Sequence, residues 1–209
     1  MVRFVVMAAG LASRMGKDKL ALPWKNTTVL GHVLDTVLSV VKNQPSALAS
    51  EMEIRVVARQ PIEKYVSEDR IGEFYEHNGV WLFDPNPRPL AETIRIGLQD
   101  LNSEVHSYAF LQGDQVGVTA QMLSACLAEV INHTPDFLVP MTGETAGSPV
   151  FFHKRYIPEL SALQGEQGGR MVLNLYPDRW RKFPVEEGCL DDVDTPEQYQ
   201  ALFSQHNVY

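Results

Sequence analysis

The stretch Val5–Trp24, VVMAAGLASRMGKDKLALPW, changes character within a few residues. It completes an apolar run that begins at Val2, then passes at Ala9-Gly10 into a loop carrying Ser13, Arg14, Lys17 and Lys19. An unbroken apolar strand is one buried on both faces, as in a parallel sheet covered by helices. Downstream, Val29, Leu30, Val33, Leu34, Val37, Leu38 and Val41 recur at helical spacing, so 29–43 reads as an amphipathic helix that Gln44-Pro45 ends. The alternation continues. Glu53–Ala58, Val80–Phe83, Tyr108–Leu111, Phe137–Pro140 and Val150–Phe152 read as strands, and Ile62–Ile71, Leu90–Leu101 and the segment from Thr119 read as helices. This order predicts an α/β fold: a Rossmann-like, mostly parallel sheet with helices on both faces. No linker interrupts it, so 1–209 reads as one domain.

Composition narrows the function classes. The chain has 209 residues, 44% apolar and 21% charged, the balance of an ordinary globular protein. A formal net charge of −8 argues against wholesale binding to nucleic acid or an acidic membrane. Cys126 and Cys189 form no CxxC pair, which argues against a zinc site or disulfide framework and suits a reducing cytoplasm. The sequence shows no signal-peptide pattern and no run of about 18 apolar residues.

In open α/β sheets, ligands bind beyond the carboxyl ends of the strands. Two polar loops follow strands here, Ala9–Lys19 and Gln112–Val116, and are expected on one rim. Gly10 can adopt a positive φ and lets backbone N–H groups approach an anion. Arg14 offers a planar fork to phosphate oxygens, and Lys19 a mobile charge that, as a loop residue, would add little to folding. The spacing is neither a P-loop nor a GxGxxG fingerprint, and a solvated turn is the bland alternative. Asp114 follows a strand, and Thr119 is the better cap for the next helix, which frees Asp114 for a hard cation such as Mg²⁺. Asp191, Asp192 and Asp194 crowd three carboxylates into four residues. Read as a strand end, Asp192 and Asp194 share a face, and Asp191 points to solvent. Thr195-Pro196-Glu197 reads as a helix start. His153 follows an apolar run and reads as structural.

The residues MAAGLASRMGKDKLALPW resemble the LAAGxSxRMGxxKxLLPW signature of the MobA-like nucleotidyltransferases, and within them the molybdenum cofactor cytidylyltransferases of the MocA type. Further segments follow the family in order. GDQVGV resembles LGDMPxV, departing at Gln115-Val116, where a proline is usual and its loss loosens the turn. NPRPLAETIRIGL resembles NP…GMSSSLRAGL, with Pro89 at the family's glycine. GSPVFF…LQGEQGGRMVL resembles GHPVLF…LxGDxGARxLL, with Ser148 and Glu166 substituted, and DDVDTPEQY resembles DIDTPEDL.

The resemblance implies the fold of the nucleotide-diphospho-sugar transferases and transfer of a nucleoside monophosphate from an NTP to a phosphorylated acceptor. It implies that Ala8, Ala9, Gly10, Ser13, Arg14, Lys19, Thr93 and Gly113 bind nucleotide, with Arg14, Lys19 and Asp114 catalytic. It implies a metal, Mg²⁺, on Asp114 and on Asp192 or Asp194. Ala8-Ala9-Gly10, where guanylyl-transferring relatives carry AGG, implies CTP. Gly168, Gly169 and Arg170 would face the acceptor, a phosphorylated pterin cofactor, and a molybdoenzyme would be a further partner. Three alternatives stand beside these readings. The start of the helix at Leu90 could serve as an anion site without Thr93, Arg170 could be an exposed helix-start residue, and the chain could use a sugar or alcohol phosphate or bind nucleotide without catalysis.

Overall fold

The computed structural model describes residues 1–10, 16–100 and 104–206. Ser13, Arg14 and Leu101 lie outside the described residues. The elements run β1 (Val2–Ala8), β2 (Pro23–Trp24), β3 (Thr27–Thr28), α1 (Val29–Lys42), α2 (Ser46–Ala49), β4 (Glu53–Ala58), α3 (Glu68–Glu76), β5 (Gly79–Phe83) and α4 (Leu90–Gly97). They continue with β6 (Ser107–Gln112), α5 (Ala120–His133), β7 (Phe137–Thr142), β8 (Thr145–Ala146), β9 (Val150–His153), α6 (Ile157–Ser161), α7 (Gly169–Leu175), β10 (Trp180–Pro184) and α8 (Pro196–His206).

One eight-stranded sheet takes the order β10-β7-β9-β6-β1-β4-β5, with β8 paired to β7. Every pair is parallel except those made by β9 and β8. β1 alternates between two cores. Phe4, Val6 and Ala8 face the layer of α1 and α5, whereas Val5 faces the layer of α4, α6 and α7. That two-sided burial is what the continuous apolar run at Val2–Ala8 requires. Met7 pairs with Gln112 and Ala8 with Ala58, so β1, β4 and β6 end together on one rim.

Several boundaries differ from the sequence reading. Ile62–Ile71 is not one helix: Ile62–Lys64 is a 3₁₀ turn, and α3 starts only after Ser67, whose extended backbone breaks the run. The helix from Leu90 ends at Gly97, where the C-terminal carbonyls beyond it, those of Gln99 and Asp100, accept hydrogen bonds from Arg3 and Arg55. Asp192 and Asp194 belong to no strand. Their segment is pinned by buried Val193, whose N–H donates to the Asp114 carbonyl at 3.0 Å.

Candidate active site

The rim is assembled by the adjacent ends of β1 and β6. The Gly113 N–H donates to the Met7 carbonyl at 3.0 Å, which seats the Asp114 turn beside Ala8. Thr119 caps α5, its hydroxyl accepting from the Met122 N–H at 3.1 Å, so Asp114 is not spent on capping. Gly10 is exposed with open space where a Cβ would stand, but the positive φ belongs to Gly16, at 63°. Open space at Gly10 is present; the left-handed turn expected there sits six residues later.

Lys19 is not a solvated loop residue. It opens a 3₁₀ turn capped by Asp18, and its side chain is only 17% exposed. Its Nζ forms an ion pair with Asp114 and lies 2.9 Å from Asp194 Oδ1. Residues 19, 114 and 194, distant in sequence, therefore converge on one point. Partial burial pulls the Lys19 ammonium down, yet the two carboxylates outweigh it and hold its pKa above the ordinary lysine value. The Asp192 carboxyl is raised above the usual range, first by desolvation, then by the charges of Asp114 and Asp194, with Lys19 opposing. Asp192 and Asp194 thus face the same charges as expected, although from an irregular segment. Asp191 is exposed.

Lys19 and Asp114 border a cleft of about 410 Å³, whose lining does not include Asp192 or Asp194. Ala8, Gly10, Lys19, Thr93, Gly113 and Asp114 line it. Ala9 is buried and turns to an adjoining recess with Asp84 and Arg88. Thr93 reaches the cleft wall, but its hydroxyl donates to the Pro89 carbonyl at 3.4 Å. The start of α4 is less open to an anion than its sequence suggests, because the Ala91 N–H is taken by the Gly165 carbonyl at 3.0 Å. Gly168, Gly169 and Arg170 line a second cavity, not this cleft. The two glycines also have a packing reason: a Cβ at 168 would meet Leu90 at 2.9 Å, and one at 169 would meet the Phe152 ring at 2.8 Å. Gln115 does not loosen its turn. It is 4% exposed, and its Nε2 donates to the Ser148 carbonyl at 2.6 Å. His153 ends β9 at the far end of the sheet, opposite Ser107, where its ring caps a short turn by accepting from the Arg155 N–H.

Arg88 escaped the sequence reading, and Gln112 was read only as the start of a rim loop. Arg88 stands between Asp84 and Glu92, four residues away on each side, a spacing that could have flagged it. Gln112 ends β6 directly before Gly113-Asp114 and borders both cavities.

Among the described residues, no three His, Cys, Asp or Glu side chains are already grouped around a metal position. The chemistry of the donors nevertheless fits a hard divalent cation. Two carboxylates converge on a single cationic nitrogen, and Mg²⁺ is commonly held by one or two carboxylates plus substrate phosphates.

The chain has the fold of the nucleotide-diphospho-sugar transferase type. Rv0371c from Mycobacterium tuberculosis H37Rv, solved in complex with manganese, superposes with a TM-score of 0.72 at 22% identity, covering 97% of this chain and 98% of that one. Residues 4–181 match the MobA-like NTP transferase domain, and the chain belongs to that family. Among curated relatives, the molybdenum cofactor guanylyltransferase of Aliivibrio fischeri (strain MJ11) is 28% identical over 177 residues, 84% of this chain and 80% of the relative. The purine catabolism protein PucB of Bacillus subtilis (strain 168) is 25% identical over 203 residues, 95% of this chain and 94% of the relative. No helix among the described residues is long and apolar enough to cross a membrane.

Proposed function

We propose that this nucleotidyltransferase moves a cytidylyl group from CTP to the phosphate of a pterin-type cofactor, releasing pyrophosphate, with Mg²⁺ as its metal and the cytoplasm as its location. The observation that carries the reading is the meeting of Lys19 with Asp114 and Asp194 at the ends of β1 and β6. An oxygen of the acceptor phosphate attacks the α-phosphorus, a new P–O bond forms, and the bond to the bridging oxygen breaks as pyrophosphate leaves. Negative charge grows on the bridging and leaving oxygens, where Lys19, together with Arg14, neutralises it. Asp114, with Asp192 and Asp194, would hold a divalent cation, which would supply further charge neutralisation. The backbone of Ala8-Ala9-Gly10, with Ser13, Thr93 and Gly113, receives the nucleotide. Gly168, Gly169 and Arg170 serve the acceptor.

Cytosine is favoured by the alanine at position 9, where a side chain stands in the way of the backbone approach that glycine permits in AGG relatives. Direct titration with CTP, GTP, ATP and UTP in Mg²⁺, followed by pyrophosphate release with each, tests the reading. CTP is expected to bind more tightly than GTP, and Ala9→Gly to narrow the gap. GTP binding as well as or better than CTP would move the protein to guanylyl transfer, the activity that the names of curated relatives carry.

A further inference from the structure

Directly after Asp114 the chain buries a polar side chain. Gln115 is 4% exposed, and Val116 and Val118 beyond it are buried as well. Its Nε2 donates to the Ser148 carbonyl at 2.6 Å. Its Oε1 is buried and has no hydrogen-bond partner. An amide taken out of water with one end unpaired is a cost to folding. Filling the space gives no reason for that cost, since an apolar chain of the same length would do it. The bond to Ser148 has to supply the reason.

That bond joins two parts of the molecule with different surroundings. Ser148 lies between β8 and β9 and borders the second cavity beside Gly147, whose N–H donates to the Pro140 carbonyl at 3.0 Å. The turn from Gln112 to Gly117 carries Asp114, whose carboxylate meets Lys19. On one side the turn is held by backbone. The Asp114 carbonyl accepts from the Val193 N–H, and the Gly117 N–H donates to the Asp191 carbonyl, both at 3.0 Å. On the other side, among the described residues, the Gln115 amide makes the one hydrogen bond from this turn to 147–149. Val116 stands where the resembled signature has proline, so no ring stiffens the turn, and a side chain ties it instead. A carboxylate that shares a cation must be held to within about 0.5 Å of its place. A turn free to tilt on its Ser148 side would carry the Asp114 oxygens away from Lys19 and Asp194.

We propose that Gln115 is a positioning residue for the cation: its buried amide ties the Asp114 turn to the loop at Ser148 and so holds the Asp114 carboxylate where Asp194 can share a divalent ion with it. The loop that borders the second cavity thereby supports the metal side of the cleft. The proposal rests on the reading of Asp114 as a cation ligand.

The test is a Mn²⁺ titration of the full chain without nucleotide, followed by the electron paramagnetic resonance of the free ion, with a melting profile for each variant. Gln115→Met keeps the length and removes the amide. It is expected to weaken Mn²⁺ binding on the order of tenfold or more, the range for a group that holds a metal ligand from behind. Ser148→Ala removes a hydroxyl but keeps the carbonyl that accepts the bond, and is expected to leave the titration unchanged. Asp114→Asn is expected to weaken Mn²⁺ more than Gln115→Met does. Should Gln115→Met fail to fold, Gln115→Asn, whose amide is one methylene short of Ser148, replaces it with the same expectation. A Gln115 variant that melts lower yet titrates like the wild type would make the residue a packing element and overturn the proposal. Ser148→Ala weakening Mn²⁺ as much as Gln115→Met would overturn the route through the carbonyl. Mn²⁺ binding lost in Asp114→Asn but kept in Gln115→Met would overturn the positioning role and leave the metal reading standing. Binding unaffected by Asp114→Asn would overturn the metal reading, and the proposal with it.

Discussion

Lys19 holds two carboxylates that would otherwise repel each other, and in the proposed transferase the same charge would meet phosphate oxygens. Lys19→Ala is expected to lower turnover about tenfold to a thousandfold, the range for one lost contact to developing charge. Its folding cost is expected to be largest without divalent cation, because Asp114 and Asp194 are then left facing each other. Thermal melts with and without Mg²⁺ measure this, and a cost that Mg²⁺ does not reduce would count against a shared cation position. Asp114→Asn keeps the shape and removes the charge, so kcat should fall on the order of a hundredfold or more while the nucleotide still binds. Asp192→Asn and Asp194→Asn should show the same pattern with smaller losses. Near-normal turnover in all three would return these residues to solvated turns. Much of this site was legible from residue type and position. Asp114 could be singled out because Thr119 competes better for the cap, and the structure makes that cap. The partnership of Lys19 with Asp194 was not legible, since 175 positions separate them and only tertiary packing brings them together.

Two elements meet where α5 begins. The Gly117 N–H donates to the Asp191 carbonyl at 3.0 Å, and a Cβ at 117 would stand 2.0 Å from the Gly188 carbonyl oxygen. Backbone lies against backbone here, so no side chain can rotate away to make room. Gly117→Ala is expected to push the 188–194 segment off the Asp114 turn, lowering both the melting temperature and Mg²⁺-dependent turnover. A variant with wild-type kinetics would show that the carboxylates do not depend on this contact. Along α5, burial pushes the Cys126 thiol up to about 12 from its ordinary value of 9.0. The unfolded thiol then loses its proton first, so this residue's contribution to stability is full below about pH 9 and is lost as pH rises toward 12. Urea midpoints between pH 8 and 11 should fall for the wild type more steeply than for Cys126→Ala. Parallel slopes would remove the thiol from the account. Elements with strong periodicity, such as β1, β4 and α1, were readable because burial on known faces writes their pattern. β10 was not: Trp180–Pro184 is an edge strand with exposed Arg181 and Lys182, and it pairs on one side only.

The two ends of the chain close over each other, and this gives the site its shape. Trp24, fully buried just after the Lys19 turn, packs against Tyr199 and Phe203 of α8 at centroid separations of 6.3 and 6.1 Å. The Tyr199 hydroxyl donates to the Pro23 carbonyl at 2.7 Å. Lys19 and Asp194 sit immediately upstream of these contacts in each segment, so α8 acts as a clasp that keeps the cation and the carboxylate in register. Pattern reading could place the start of α8 at Thr195-Pro196, and the Thr195 hydroxyl does accept from the Gln198 N–H at 3.2 Å. It could not show what α8 covers: Tyr199 and Phe203, four residues apart, meet within the helix at centroids 5.4 Å apart, and nothing in their spacing points to Trp24. Tyr199→Phe removes one hydrogen bond and is expected to cost about 1 kcal/mol, with little change in turnover. Phe203→Ala removes part of the cover over Trp24. It should lower the melting temperature further and also raise the Mg²⁺ concentration needed for half-maximal turnover, because Asp194 loses its fixed distance from Lys19. A chain ending at Thr195 should show both effects more strongly, with Trp24 emission shifted to the red as water reaches it. If the shortened chain lost stability yet kept the wild-type Mg²⁺ requirement, α8 would be a cover for Trp24 and not a clasp on the site.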